Sequence, residues 1–277
     1  MRIVSWNMNY WQNTHIFNPK NDRFKSPFFK NSIEEINTWI DSCKKYIQEL
    51  NVDIIVLQEI NPFTLYGIKY DKNDHNQYKV IYKSEIILYH ELYNELSNEN
   101  LKENFWGNAI IINNNNISFI KNNLSQEANE YYGQNGLMSY DFSSKNGTGI
   151  TIFNYYNKKN RNKKYYSMPY DIKNDLKNIL IDKNENVIIF AGDFNSDKDK
   201  DLGNRKFFKF VDEVGFINYT EGDEFDNTMV PEARPYPNDK VYIKNMNNVK
   251  QIICKLLKNT NNSLSDHYPV LCEIVEK

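Results

Sequence analysis

The stretch VIIFAGDFNSD, Val187 to Asp197, constrains the fold more than any other part of the chain. Val187 to Ala191 is an unbroken apolar run, and a strand of that kind has both of its faces covered. Gly192 ends the run, and Asp193, Phe194 and Asn195 follow where the strand gives out. Two residues apart in extended backbone, Asp193 and Asn195 emerge on the same side of a sheet. A carboxylate and an amide directed the same way suit the holding of a water, a metal or a charged oxygen. Taken alone, GDFN is equally an Asx-rich turn closing a strand, so its meaning rests on the remainder of the chain.

Taken in order, that remainder alternates short strands with few helices. RIVSWNMN (Arg2 to Asn9) reads as a strand that turns polar at Asn7. A helix fits Ser32 to Leu50, with Ser32 as cap, Glu35 completing a capping box, and Ile33, Ile36, Ile40, Ile47 and Leu50 on its apolar face. DIIVLQE (Asp53 to Glu59) is a second buried strand, so strand, helix and strand form a crossover unit. Tyr78 to His90 predicts two short strands or a hairpin, and Leu92 to Glu103 a polar surface loop. GNAIIIN (Gly107 to Asn113) is a strand, with Ile117 to Ile120 its expected partner. GITIFNYY (Gly149 to Tyr156) is another, followed by a basic loop from Asn157 to Lys164. Helices are expected over Asp171 to Asp182 and Asp199 to Val214, the latter ended by Gly215. Lys240 to Ile243, Val249 to Leu257 and Tyr268 to Val275 close the chain as strands.

Mixed strands with few helices and no interdomain linker predict an α+β fold. Two packed mixed β-sheets flanked by helices would form a four-layer sandwich, as one domain spanning residues 1–277. A net charge of −2 excludes a global basic field for non-specific nucleic-acid binding, although 34 Lys and Arg allow a local basic face. Cys43, Cys254 and Cys272 fit no metal or redox motif and read as reduced thiols. With no signal-peptide pattern and no run of about 18 apolar residues, a cytoplasmic monomer without a membrane anchor is expected.

Several strands share one oddity: apolar inside, polar at an end. The ends are Asn7, Glu59, Asp193 with Asn195, and Tyr156 with Asn157. Asp239 stands just before KVYI, and Asp266 with His267 just before YPVLCEIV. Each has a duller alternative as a turn or solvated strand end, but their accumulation in one chain points to a site. Glu59, Asn7 and an aspartate offer hard oxygen donors that suit Mg²⁺ or Mn²⁺, ions that keep waters and bind phosphate oxygens. No His or Cys cluster exists for zinc. An Asp beside a His supplies a titratable imidazole for phosphoester cleavage by activated water.

WNMN, DIIVLQE, GNAIII, AGDFNSD, DKVYI and LSDHYPV, in this order, resemble the endonuclease/exonuclease/phosphatase superfamily with its deoxyribonuclease-like fold. WNMNYWQ also resembles a bacterial group of hydrolases within it. The resemblance spans residues 2 to 275 and implies these roles. Asn7 and Glu59 would hold a divalent metal, assisted by Asp266. Asp193 would position and deprotonate the attacking water, and Asn195 would stabilise the pentacovalent phosphate. His267, polarised by Asp239, would contact the phosphate. One departure stands out: many members carry a histidine at the end of the strand written here GITIFNYYN, where this chain has Tyr156. The abasic-site endonuclease branch has a tyrosine there, but with a proline and an asparagine that this chain lacks at that spacing.

The resemblance implies a nuclease acting on DNA or RNA. A phosphatase or phosphodiesterase acting on a small molecule or phospholipid head group, and a weakened phosphate-binding module, are its alternatives. Asn157 and Asn108 are candidate substrate contacts, Trp6, Tyr10, Trp11 and Trp106 candidate stacking platforms for bases, and Lys158 to Lys164 a candidate phosphate-binding loop.

Overall fold

The computed structural model describes residues 1–9, 32–60, 78–82, 85–87, 107–124, 136–156, 170–181, 183, 186–195, 202–225, 228, 238–244, 247–258 and 264–277. Elements are numbered here in chain order among these residues. The first sheet contains β1 (Arg2–Asn7), β2 (Ile54–Ile60), β3 (Tyr78–Tyr82), β4 (Glu85–Ile87), β5 (Gly107–Asn113), β12 (Val249–Leu256) and β13 (Val270–Glu276). Its order is β12-β13-β1-β2-β5-β3-β4. The second contains β6 (Ile117–Asn122), β7 (Leu137–Ser144), β8 (Gly149–Tyr156), β9 (Val187–Asp193), β10 (Ile217–Asn218) and β11 (Asp239–Lys244), in the order β10-β11-β9-β8-β7-β6. Among the described residues three α-helices accompany them: α1 (Ile33–Leu50), α2 (Tyr170–Ile181) and α3 (Leu202–Glu213).

Each sheet is mixed because each holds one crossover unit. The pair β1 and β2 is parallel and joined through α1, and the pair β8 and β9 is parallel and joined through α2. Helix α1 starts where the sequence predicts, with Ser32 Oγ accepting from the Glu35 amide, and ends on Asn51 in the left-handed conformation. Its buried stripe is Ile36, Trp39, Ile40, Cys43 and Ile47, which packs on Val4, Trp6, Ile55, Leu57 and Ile111. Leu176 and Leu180 of α2 and Phe208, Phe210 and Val211 of α3 cover Phe153, Ile188, Phe190 and Tyr242 on the other sheet. Between the sheets lies a third apolar layer, including Ile3, Val56, Ile110, Ile152, Ile189, Val241 and Cys272. Helix, sheet, sheet and helix make the four layers, a deoxyribonuclease-like sandwich. Among the described residues no helix is long and apolar enough to cross a membrane.

Two expectations are corrected. Ile117 to Ile120 does not pair with β5, which is already flanked by β2 and β3; the turn after Asn113 carries the chain into the second sheet, where β6 pairs with β7. Strand β7, LMSYDFSS, matches no strand expected from the sequence, because Leu137 to Phe142 are buried without alternation and Ser139 and Asp141 are buried among them. The cysteines are not three reduced thiols: Cys254 and Cys272 form a disulfide, and Cys43, on the buried face of α1, takes no part in one. Cys254 and Cys272 stand directly opposite on antiparallel β12 and β13, a register that the spacing along the chain does not reveal. The disulfide also removes the support that free thiols lent to a cytoplasmic location.

Candidate active site

Period-two alternation delivers the site. In β1, β8, β9 and β11 the residues facing the other sheet include Ile3, Ile152, Ala191 and Val241. Continuing each series to the same end of the sandwich reaches Asn7, Tyr156, Asp193 and Asp239. The apolar column stops and the polar group occupies the next step. Four of the contributing ends, those of β1, β2, β8 and β9, are the carboxyl ends of the parallel pairs, where open α/β sheets commonly place ligands. Gly192 is required just there: its φ is +151°, and a Cβ would lie 1.8 Å from the Tyr155 carbonyl oxygen on the neighbouring strand.

Asn7 is the hub. Its Nδ2 donates to Asp193 Oδ2 at 2.8 Å and to Glu59 Oε1 at 3.3 Å, bridging the two sheets. Tyr156 donates its hydroxyl to the same Glu59 oxygen at 2.5 Å. Asp193 accepts from the Asn195 amide at 2.8 Å and from Asn195 Nδ2 at 3.0 Å. GDFN is therefore an Asx turn as well as a site element: the turn folds the Asn195 side chain back onto Asp193. Asp239, opposite Asp193 in the β9–β11 register, meets His267 Nδ1 at 2.7 Å. The other ring nitrogen lies 3.9 Å from both Asp193 Oδ2 and Asp266 Oδ1.

Apolar layers hold this loop in place. Trp6 donates its indole N–H to the His267 carbonyl at 3.0 Å, and Trp39 donates to the Leu264 carbonyl at 2.7 Å. Ser265 Oγ donates to the Asn7 carbonyl and accepts from the His267 amide. Each such bond contributes about 1 kcal/mol, and together they tie the strand carrying Asn7 to the loop carrying His267.

The structure thus brings together Asn7, Glu59, Tyr156, Asp193, Asn195, Asp239, Asp266 and His267. Trp6 is corrected: at 2 % exposure it is core, with its ring under α1, and it offers no face to a base. Asn108 is buried, and its Nδ2 turns to the carbonyls of Gly136 and Asn154. Asn157, Tyr10, Trp11, Trp106 and the basic loop Lys158 to Lys164 lie outside the described residues. Asn9, which the sequence reading passed over, joins the site. Its amide donates to Asn7 Oδ1 at 2.8 Å and its side chain reaches the Asp266 carboxyl. WNMN repeats the two-residue spacing of DFN, and that spacing was the available signal.

Four carboxylates, Glu59, Asp193, Asp239 and Asp266, surround one imidazole. Burial, the largest cause in each case, raises Glu59, Asp266 and Asp193 above the usual carboxylate range, Asp193 to about 7. Burial alone would pull His267 down, but Asp239, Asp266 and Asp193 outweigh it and hold the imidazole well above its ordinary value. Tyr156 is likewise raised, by burial and then by the Glu59 charge. Among the described residues, Asp239 Oδ1 is buried with no hydrogen-bond partner. The cluster is short of positive charge and rich in hard oxygen donors, so a divalent cation of the Mg²⁺ or Mn²⁺ class fits it. Asp193, Asp239 and His267 offer ligand atoms within 4.8 Å of one another. With Nδ1 engaged and the ring held protonated, His267 is a poor ligand, and the oxygen side formed by Asn7, Glu59 and Asp266 suits a hard cation better.

The sequence model of the Endonuclease/Exonuclease/phosphatase family matches residues 4–232. No sequence among the curated proteins matches the chain. Solved structures do match. An endonuclease/exonuclease/phosphatase from Bacteroides vulgatus aligns at 12 % identity over 100 % of this chain and 98 % of that one, with a TM-score of 0.60. D. rerio TDP2 complexed with single strand DNA product aligns at 14 % identity, covering 98 % and 97 %, with a TM-score of 0.58. The endonuclease domain of TRAS1, a telomere-specific non-LTR retrotransposon, aligns at 14 % identity, covering 99 % and 98 %, also at 0.58. At these identities the structural likeness shows the fold, and the family match covers most of the length. The chain belongs to the endonuclease/exonuclease/phosphatase family.

Proposed function

We propose that the protein is a divalent-metal-dependent phosphoester hydrolase, acting as a nuclease on the phosphodiester bonds of DNA or RNA. The observation that carries this reading is the line Asp239, His267, Asp193, with Asn7 binding Asp193 and Glu59 together across the sheets. Glu59, Asn7 and Asp266 would hold the cation, which supplies charge neutralisation and orientation for a phosphate oxygen.

The chain's own groups do the remaining work. Asp193, with Asn7 and Asn195 donating to it, orients the attacking water and takes its proton. Burial raises the Asp193 carboxylate above the usual range, which makes it a stronger base than an exposed aspartate. Protonated His267 presents Nε2–H to the phosphate and stabilises charge that develops there, while Asp239 fixes the ring through Nδ1. Asn195 Nδ2 is a second donor toward the same region, and Tyr156 keeps Glu59 in place.

A nucleic-acid substrate is supported by the two neighbours described by an endonuclease activity and by a DNA product. The test is hydrolysis of DNA, abasic DNA, RNA and a generic phosphodiester by purified protein in Mg²⁺ or Mn²⁺. Cleavage of a nucleic acid that disappears with chelator and in Asp193→Asn is the expected result. Turnover confined to small phosphoesters would move the substrate class, and turnover that persists in chelator would overturn the mechanism.

A further inference from the structure

Alternation explains every strand-borne group of the site except Glu59. Along β2, Ile54 and Val56 face the other sheet, whereas Ile55 and Leu57 face α1. An unbroken strand would therefore turn Gln58 inward and Glu59 toward the helix, away from Asn7 and Tyr156. A bulge prevents this. Leu57 pairs with Ala109 and Ile60 with Gly107, so Gln58 and Glu59 together oppose the single residue Asn108. Glu59 adopts a φ of +47°, and Ile60 rejoins the helix-side cluster. The carboxylate owes its aim to a backbone conformation that a non-glycine residue adopts only where its surroundings enforce it.

We infer that Asn154 is the positioning residue that enforces it. Asn154 lies on β8, in the opposite sheet, one inner-face step below Tyr156, and is fully buried. Its Nδ2 donates to the Leu57 and Ala109 carbonyls, both at 2.9 Å; these are the last regularly paired residues before the bulge. Its Oδ1 accepts from Gln58 Nε2 at 3.0 Å, and the same nitrogen donates to the Val56 carbonyl at 3.2 Å. One amide from the second sheet thus holds both strands at the root of the bulge and the side chain of a bulged residue. An apolar side chain at this position takes a donor from two buried carbonyls and the cross-sheet acceptor from the Gln58 amide, a costly loss in a dry interior. Regular pairing of β2 with β5 would then compete with the bulge, and regular pairing faces Glu59 away from the site.

The inference rests on the proposed metal role of Glu59, and the test separates the two. Asn154→Leu and Gln58→Met are made alone and combined with Glu59→Gln. Mn²⁺ affinity of the folded protein is read by electron paramagnetic resonance, thermal midpoint by calorimetry, and the Glu59 backbone by crystallography. Asn154→Leu should weaken Mn²⁺ binding roughly 10-fold or more, the scale found when partners of metal ligands are removed. It should shift Glu59 out of positive φ and add nothing in the Glu59→Gln background. Gln58→Met should do the same to a smaller degree, and it carries the test if Asn154→Leu does not fold. A lowered thermal midpoint with wild-type Mn²⁺ affinity and an unmoved Glu59 would make Asn154 a tie between sheets and nothing more. If the wild type binds no Mn²⁺, the metal reading fails, and the Glu59 backbone in the variant crystal structures alone decides the role of Asn154.

Discussion

Asp239 takes Nδ1 of His267 at 2.7 Å and leaves Nε2 turned toward Asp193, 3.9 Å away. The pairing predicts a pH dependence. His267 is raised because nearby carboxylates outweigh its burial, so Asp239→Asn should lower its pKa. The activity loss in that variant should grow as pH rises through the new value, since the protonated ring is the working form. His267→Ala should cost roughly 10²-fold or more. A pH–rate profile of wild type, Asp239→Asn and His267→Gln on one phosphodiester checks both, and an Asp239→Asn profile that overlays the wild type would contradict the pairing.

Stability without metal should fall as pH rises. Glu59, Asp193 and Asp266 titrate higher in the folded chain than when unfolded. Their contribution is complete below the ordinary carboxylate range of about 4 and is lost as pH rises through the folded values, about 7 for Asp193. His267 has the same sign: its contribution is complete below the ordinary imidazole value of about 6.5 and is lost as pH rises through its own raised value. A cation binds the ionised carboxylates, so the thermal midpoint gained on adding Mn²⁺ should be larger near about pH 8 than near about pH 5.5. Equal gains at both would show that the cation binds elsewhere.

Glu59→Gln should abolish metal-dependent turnover and leave the protein folded, because Glu59 is half-buried at a strand end and contributes little packing. Circular dichroism alongside the assay distinguishes lost chemistry from lost structure.

Tyr156→Phe removes the closer of the two donors to Glu59 Oε1 and leaves Asn7 at 3.3 Å. A hydrogen bond to a charged group contributes about 1.5–3 kcal/mol, so activity should drop roughly 10- to 100-fold if all of it is felt at the transition state. An unchanged rate would reduce Tyr156 to a packed strand end.

Alkylation under denaturing, non-reducing conditions should label Cys43 alone, and all three cysteines after reduction. Labelling of all three before reduction would show that the Cys254–Cys272 bond does not form in the preparation.

Most of the sandwich was legible because strand ends and caps carry local chemistry. Ser32 announces α1, and VIIFAGD announces the central strand, which runs on through Gly192 to Asp193. The convergence of the candidate site residues was legible by the same rule, since each is polar where an apolar series stops. What was not legible depends on pairing between distant segments. The partner of β6 and the disulfide follow from sheet order and register, which no local pattern encodes. The burial of Trp6 illustrates the same limit: an indole at a strand end reads as a platform until the helix over it is known. Asn154 and Gln58 carry no local signal, because a polar residue within a strand has no visible purpose until the carbonyls across the gap are known.

The apolar columns beneath Asn7, Tyr156, Asp193 and Asp239 also limit how this protein can change. Close-packed interiors pass a volume change on to their neighbours. A methylene added at Ala191, one inner-face step below Asp193, must therefore push toward the reactive end or pry the sheets apart. Residues that never meet a substrate are bound by its geometry, and sequence drift in these columns should be slowest nearest the site. An engineer seeking a more heat-resistant form would do better to work on the outer faces, under the helices, where repacking leaves the spacing between the two sheets alone.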